Sequence, residues 1–253
     1  MFDLYLTVLT NLLIFGVLGW VLSLFIKNVT HVDSMWSIFF VIALFTSINS
    51  IEFISDRHYA LILILLLWAI RLFIHLTKRN WGKPEDIRYK NIRKNNEPNY
   101  SLKSLYIIFC LQAILASIIA LPLLASVLDP RAYNIIDKIA LAVILFGLLF
   151  ESVADYQLSE FLKNNKKGVL NQGLWKYSRH PNYFGEFLIW WGLFIFSLGS
   201  GFWFTFISPL LMTVLLLRIS GVGLMEQTIT KRRPSYIKYI KNTSSFIPWP
   251  PKN

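Results

Sequence analysis

The chain has 253 residues, of which 55% are hydrophobic and only 15% charged, against roughly 25% charged in a soluble domain. A net charge of +11 would point to nucleic acid in a soluble protein, but the apolar residues arrive in long blocks, which excludes that class and puts the positive charge at a membrane. The one cysteine, Cys110, excludes an intrachain disulfide.

A spanning helix needs about 20 mostly apolar residues. Taken in chain order, such stretches are 4–26, 35–54, 59–76, 105–128, 136–161, 183–198 and 202–217. The last two are separated only by Gly199, Ser200 and Gly201. Lipid offers no partner to free backbone groups, so spans are helices or closed barrels, and continuous runs without two-residue alternation select helices. The predicted fold is therefore an all-α polytopic bundle of about seven transmembrane helices. It forms one domain over 1–253, with an interfacial tail from about 221.

Charge placement supports that count. With the N-terminus outside, only Arg57, Arg131 and Lys138 of the 25 lysines and arginines fall outside, and Arg71 falls within a span. The remainder lie on the cytosolic side, as the positive-inside rule requires. Six helices would mix the basic segments between the two sides. The N-terminus has no basic n-region or small-residue cleavage site, so the first run is expected to stay as a helix. Trp175 and Trp249 fall near predicted interfaces, as aromatic belts do.

Ionisable residues inside spans are costly and usually face a cavity or one another. Arg71 and His75 are four apart on the third helix, and their stripe continues to Arg79. Glu151 and Asp155 repeat that spacing on the fifth, where two like charges need a cation or a hydrogen-bonding ligand between them. Two readings stay open: an ion-pair network through Arg71 or Arg218, or a polar ligand pocket facing the cytosol. Asp33, at the edge of the second helix, reads either as its N-cap or as a functional carboxylate.

The most informative stretch ends Ser178-Arg179-His180-Pro181-Asn182-Tyr183-Phe184-Gly185-Glu186. Proline favours the first helical position, so the sixth helix is predicted to start at Pro181. Arg179 and His180, with the amides that follow, would form a positive cup for an anion such as phosphate. Glu186, in the second turn, either complements the helix dipole or faces a ligand. The segment 79–89 is basic, aromatic and turn-forming. After the seventh helix the pattern breaks at 220–223, and Glu226 with the Tyr-, Trp- and Lys-rich tail 232–250 is expected on the membrane surface. The four histidines are scattered without ligand-type pairing, and no nucleotide-binding glycine fingerprint is present.

The Ser178–Glu186 segment resembles the signature of the steroid 5-alpha reductase family, particularly its bacterial branch. Arg71, the 79–89 segment, Asp155-Tyr156, Arg218 and the tail from Arg232-Arg233-Pro234-Ser235-Tyr236 to Phe246-Ile247-Pro248-Trp249-Pro250 extend the likeness. The resemblance implies a seven-helix enzyme that binds NADPH from the cytosol and reduces a carbon–carbon double bond conjugated to a carbonyl in a lipophilic substrate. The cofactor residues it implies are Arg71, Glu151, Asp155, Arg179, His180, Asn182, Tyr183, Glu186 and Arg218. Steroid-reducing relatives polarise the substrate carbonyl with a glutamate and a tyrosine. Here Asp33 and Trp68 occupy the corresponding places, and tryptophan donates a hydrogen bond without being a proton acid. That departure counts against a steroid.

The sequence is also similar to the isoprenylcysteine carboxyl methyltransferases, which use S-adenosylmethionine. The shared elements are Arg179-His180-Pro181-Asn182-Tyr183, Glu226, Tyr236 and Tyr239. Asp155-Tyr156, Asn182 and the extra basic residues favour the reductase. A non-enzymatic lipid-binding or transport protein is the third reading. The implied partners are the bilayer and a lipophilic small molecule, with no nucleic acid and no oligomeric state specified. The membrane would be a bacterial inner membrane or the endoplasmic reticulum.

Overall fold

A computed structural model describes residues 1–164, 168–219 and 235–252. All named elements among them are helical, with one isolated bridge between Ser178 and Ser244. The predicted break at 220–223, Glu226 and the tail residues up to 234 lie outside the described residues. Among the described residues, four helices are long and apolar enough to cross a membrane: Phe2–Ile26, Asp56–Asn80, Tyr100–Ile119 and Pro181–Ser200. Two shorter apolar helices, Val32–Ile48 and Trp203–Arg218, accompany them. This composition is compatible with an integral membrane protein. The chain falls into two compact units, Met1–Tyr133 with Ser197–Thr205, and Asn134–Phe196 with Phe206–Asn253.

The first unit contains α1 (Phe2–Ile26), α2 (Val32–Ile48), α3 (Asp56–Asn80), α4 (Ile87–Asn96), α5 (Tyr100–Ile119) and α6 (Leu121–Val127). α1 is apolar on all sides and buries only a narrow stripe, Val8, Leu12, Gly16, Gly19 and Ser23. Leu18, Ile14 and Phe25 stay exposed, which suits a lipid-facing helix. Small residues let its backbone approach α5: a methyl group on Gly16 would stand 3.2 Å from the Phe109 carbonyl oxygen. Phe39, Phe40, Leu44, Trp68 and Phe109 fill the core behind it.

Several predicted boundaries move. The second helix begins at Val32 and ends at Ile48, so Asp33 lies inside its first turn; the N-cap position belongs to His31. The N-cap reading of Asp33 therefore fails. The stretch 105–128 is broken at Ala120, because Pro122 opens α6 and lacks an amide N–H to continue the preceding ladder. α3 is longer than predicted: Ser55 caps it, and the His58 ring accepts the Ser55 N–H at 3.0 Å. The loop predicted at 79–89 shortens to Trp81–Asp86 and leads into α4, a polar helix that apolar patterning does not reveal.

At the α3 start of this unit, Arg57 is buried and reaches Asp129 at 3.3 Å and the Ser126 carbonyl at 2.6 Å. The Arg131 Nε lies 2.8 Å from the same carboxylate. Two of the three basic residues counted as outside charges are thus partnered locally.

The second unit contains α7 (Ile135–Asn164), α8 (Pro181–Ser197), α9 (Ile207–Val214) and α10 (Tyr236–Asn242). α8 starts at Pro181, as predicted, and α9 is a separate helix beyond the turn at Gly201. Glycines set the α7–α8 crossing. A methyl group on Gly185 would meet the Gly147 carbonyl oxygen at 2.7 Å and the Glu151 Cβ at 2.6 Å, and one on Gly192 would meet the Ile144 side chain at 2.5 Å.

Asp129→Ala should destabilise the first unit by about 3–5 kcal/mol, since it strands the buried Arg57 guanidinium. Thermal unfolding in detergent checks this. The paired Arg57→Met, Asp129→Leu variant should recover much of the loss.

Candidate functional site

The glycine crossing brings two acidic residues of α7, Glu151 and Asp155, to the first turns of α8. Both are buried, at 4% and 5% exposure, as is Glu186 at 6%. The Asn182 side-chain amide donates to Asp155 Oδ1 at 3.1 Å, and the Trp190 indole N–H donates to Glu186 Oε1 at 2.8 Å. The four-residue spacing of Glu186 and Trp190 carries that second contact. The His180 and Tyr183 rings stack with centroids 5.4 Å apart. The structure thus brings Glu151, Asp155, His180, Asn182, Tyr183 and Glu186 of the predicted set to one end of one helix pair.

Arg179 is placed differently from the expected anion cup. It is 7% exposed, and its NH1 donates to the Ile240 and Thr243 carbonyls at 2.7 and 2.9 Å. Those carbonyls close the C-terminal end of α10, where a cation complements the helix dipole. The Arg179 amide donates to the Ser244 carbonyl, and the Ser178 hydroxyl donates to the Phe246 carbonyl at 2.7 Å. The first half of the motif therefore holds the tail. Before it, the Trp175 indole donates to the Ala154 carbonyl at 3.0 Å, anchoring the segment to α7. Arg218 lies exposed in the π-helical turn after α9.

The remaining predicted residues belong to the first unit. Arg71 and His75 are half-buried on α3. Trp68 is wholly buried, its ring 5.6 Å from that of Phe40. Asp33 accepts three donors: Arg88 NH2 at 2.7 Å, Arg79 NH2 at 3.2 Å, and the Tyr89 hydroxyl at 2.6 Å. Asp33 is the acceptor in all three contacts. Burial, together with the neighbouring Asp33 carboxylate, holds the Tyr89 phenol well above its usual range, so Tyr89 keeps its proton and is the donor of this pair. Sequence reading singled out the segment but not this tyrosine, whose only signal was an aromatic residue among charges.

The same end of this unit is clipped by two further acids. Glu85 takes both Arg93 nitrogens, at 2.9 and 2.8 Å, and the Val29 amide at 3.1 Å. Asp86 takes the Arg88 amide and Nε at 2.9 and 3.0 Å and caps α4. Burial pushes both carboxyls up, but these hydrogen bonds outweigh it and leave both below their ordinary values.

These features define an all-helical membrane protein with a buried acidic cluster beside a proline-started helix. The family model described as Protein of unknown function (DUF1295) matches residues 19–243, and the chain belongs to that family. An uncharacterized protein of Schizosaccharomyces pombe is 26% identical over 73% of this chain and 62% of its own length, so the chain spans less than two thirds of that relative. No solved structure matches.

Gly185→Ala should lower stability by about 1–3 kcal/mol, because backbone rather than a flexible side chain blocks the added methyl; melting of the detergent-purified protein measures it. Acid should release α4. Carboxyls with depressed folded values stabilise above their unfolded values of 4.5 and 3.8, and that stability is lost as pH falls through the folded values. Protection of the α4 amides, taken relative to their intrinsic exchange at each pH, should therefore be steady from about pH 6 to 8 and fall sharply below about pH 4.

Proposed function

We propose that the protein is a membrane reductase, akin to the steroid 5-alpha reductases, that uses NADPH to saturate a carbon–carbon double bond conjugated to a carbonyl in a lipophilic substrate. On this reading seven helices span the membrane, with the N-terminus outside and the C-terminus in the cytosol. The observation that carries it is the set of buried acids Glu151, Asp155 and Glu186, sunk in apolar helices, with Asn182 donating to Asp155. Ionisable groups at such depth are expensive, and functional by default.

The residues present fit such a cofactor in its nucleoside parts. Carboxylates at Glu151 and Asp155 suit ribose hydroxyls or the carboxamide, Asn182 suits the carboxamide, and the stacked His180 and Tyr183 offer a flat surface to an aromatic ring. Its phosphates would fall to exposed Arg218, since Arg179 is committed to the tail. Arg71 remains a candidate from sequence alone. When bound, the cofactor supplies hydride to the far carbon of the enone. The chain's own task is to meet the negative charge that grows on the carbonyl oxygen, and a donor aimed there stabilises the transition state. Asp33 and Trp68 remain the candidates for that task from sequence alone. Apolar helices around the cluster exclude water that would otherwise compete for the reducing equivalent.

Purified full-length protein in detergent should be stabilised by NADPH and not by S-adenosylmethionine, by about 2.7 kcal/mol at a hundred times the dissociation constant. Asp155→Asn should weaken NADPH binding about tenfold or more, the size of one hydrogen bond to a charged group. Stabilisation by S-adenosylmethionine alone would overturn the reading in favour of a methyltransferase, and stabilisation by neither would favour a lipid-binding protein.

A further inference from the structure

In the second unit, α10 and the turn before α8 enclose a cleft of about 540 Å³ that is lined by none of Glu151, Asp155 and Glu186. Lys176, Lys238 and Lys252 line it, with the amide side chains of Asn171 and Asn242 and the buried ring of Tyr239. No carboxylate lines it among the described residues. A helix C-terminus would ordinarily repel an anion here. That partial charge is already spent, because Arg179 caps the Ile240 and Thr243 carbonyls and the Lys252 amide donates to the Asn242 carbonyl at 2.9 Å. Three lysines thus line one concavity with amide side chains between them.

The neighbours of these lysines are apolar and exposed: Tyr177 beside Lys176, Ile237 beside Lys238, and Ile247 and Trp249 just before Lys252. The Trp249 amide donates to the Tyr177 carbonyl at 2.9 Å, so tail and turn form one surface. Lysines that line a cleft, with exposed Trp, Tyr and Ile close to them in sequence, have the chemistry of the membrane interface, where aromatics sit at headgroup depth and lysines meet phosphate.

We propose that this cleft binds the phosphate headgroup of an acidic phospholipid and seats the C-terminal tail on the bilayer. Lysine suits this role as a compact charge that needs no fixed geometry. The site is independent of the reductase reading, since it uses none of the residues assigned to the nucleoside.

The test uses delipidated full-length protein in mild detergent, titrated with short-chain phosphatidylglycerol, phosphatidylcholine, inorganic phosphate or NADPH, and read by thermal shift and by lipid retained per chain. Phosphatidylglycerol alone should bind. The K176A/K238A/K252A variant should bind it about a hundredfold more weakly, each lysine near acidic lipid being worth about fivefold. The triple arginine variant should keep binding, as should K83A/K90A/K94A, which removes equal charge elsewhere. Lys252→Ala alone, at the exposed end of the chain, should show about a fivefold loss and guards against misfolding of the triple variant. Equal binding by K176A/K238A/K252A, or an equal loss in K83A/K90A/K94A, would overturn the site. Displacement of the lipid by millimolar phosphate would make it a small-anion site, and displacement by NADPH would make it part of a nucleotide site; either result overturns the lipid assignment. NADPH stabilisation that persists in the lysine variants keeps the two proposals separate.

Discussion

A charge inside an apolar helix must find its partner within the protein, since hydrocarbon supplies none and an uncompensated ion costs several kcal/mol. Most of the polar geometry follows from that requirement. Arg57 and Arg131 share Asp129 at one end of the first unit, while Asp33 gathers Arg79, Arg88 and Tyr89 at the other. In the second unit Glu186 takes the Trp190 indole and Asp155 takes the Asn182 amide. Arg179 answers the same need with carbonyls instead of carboxylates. Around Asp129 and Asp33 the partners include arginines, whereas Asp155 and Glu186 each accept from a neutral side chain.

The helices were legible because hydrocarbon imposes length and continuity on any span, and long apolar runs meet both. Pro181 was legible too, as a helix start that needs no amide partner. What patterning missed was what depends on a distant chain segment. Arg57 reads as a loop charge until Asp129, more than seventy residues later, is folded beside it. α4 has too little apolar character to register, and its only buried residue, Tyr89, is held by Asp33 from another helix. Asp33 shows how small an error matters: a helix that starts two residues earlier than an N-cap at Asp33 would allow turns that cap into a first-turn acid.

The Ser178–Glu186 segment illustrates the same limit inside one motif. Its residues are all buried or half-buried, so composition alone treats them as a single cluster. The fold divides them at Pro181. Ser178 and Arg179 reach the tail through Phe246, Ile240, Thr243 and Ser244, while Asn182 and Glu186 reach the acidic face of α7 and the Trp190 indole. A motif read as one binding site is therefore two contact surfaces placed back to back.

That division is held by backbone rather than by side chains. The ring of Pro181 fixes its own φ at the first helical position, and Gly185, one turn on, lets α8 press against the Gly147 carbonyl with no room for a methyl group. Between these two points Asn182 has little freedom, so its amide is delivered to Asp155 by the path of the chain. An acidic cluster set this way needs no flexible loop to assemble it, and the entropy of ordering its members is spent in folding. A polar ligand arriving there would meet groups already in place, as tight binding in a low-dielectric interior requires.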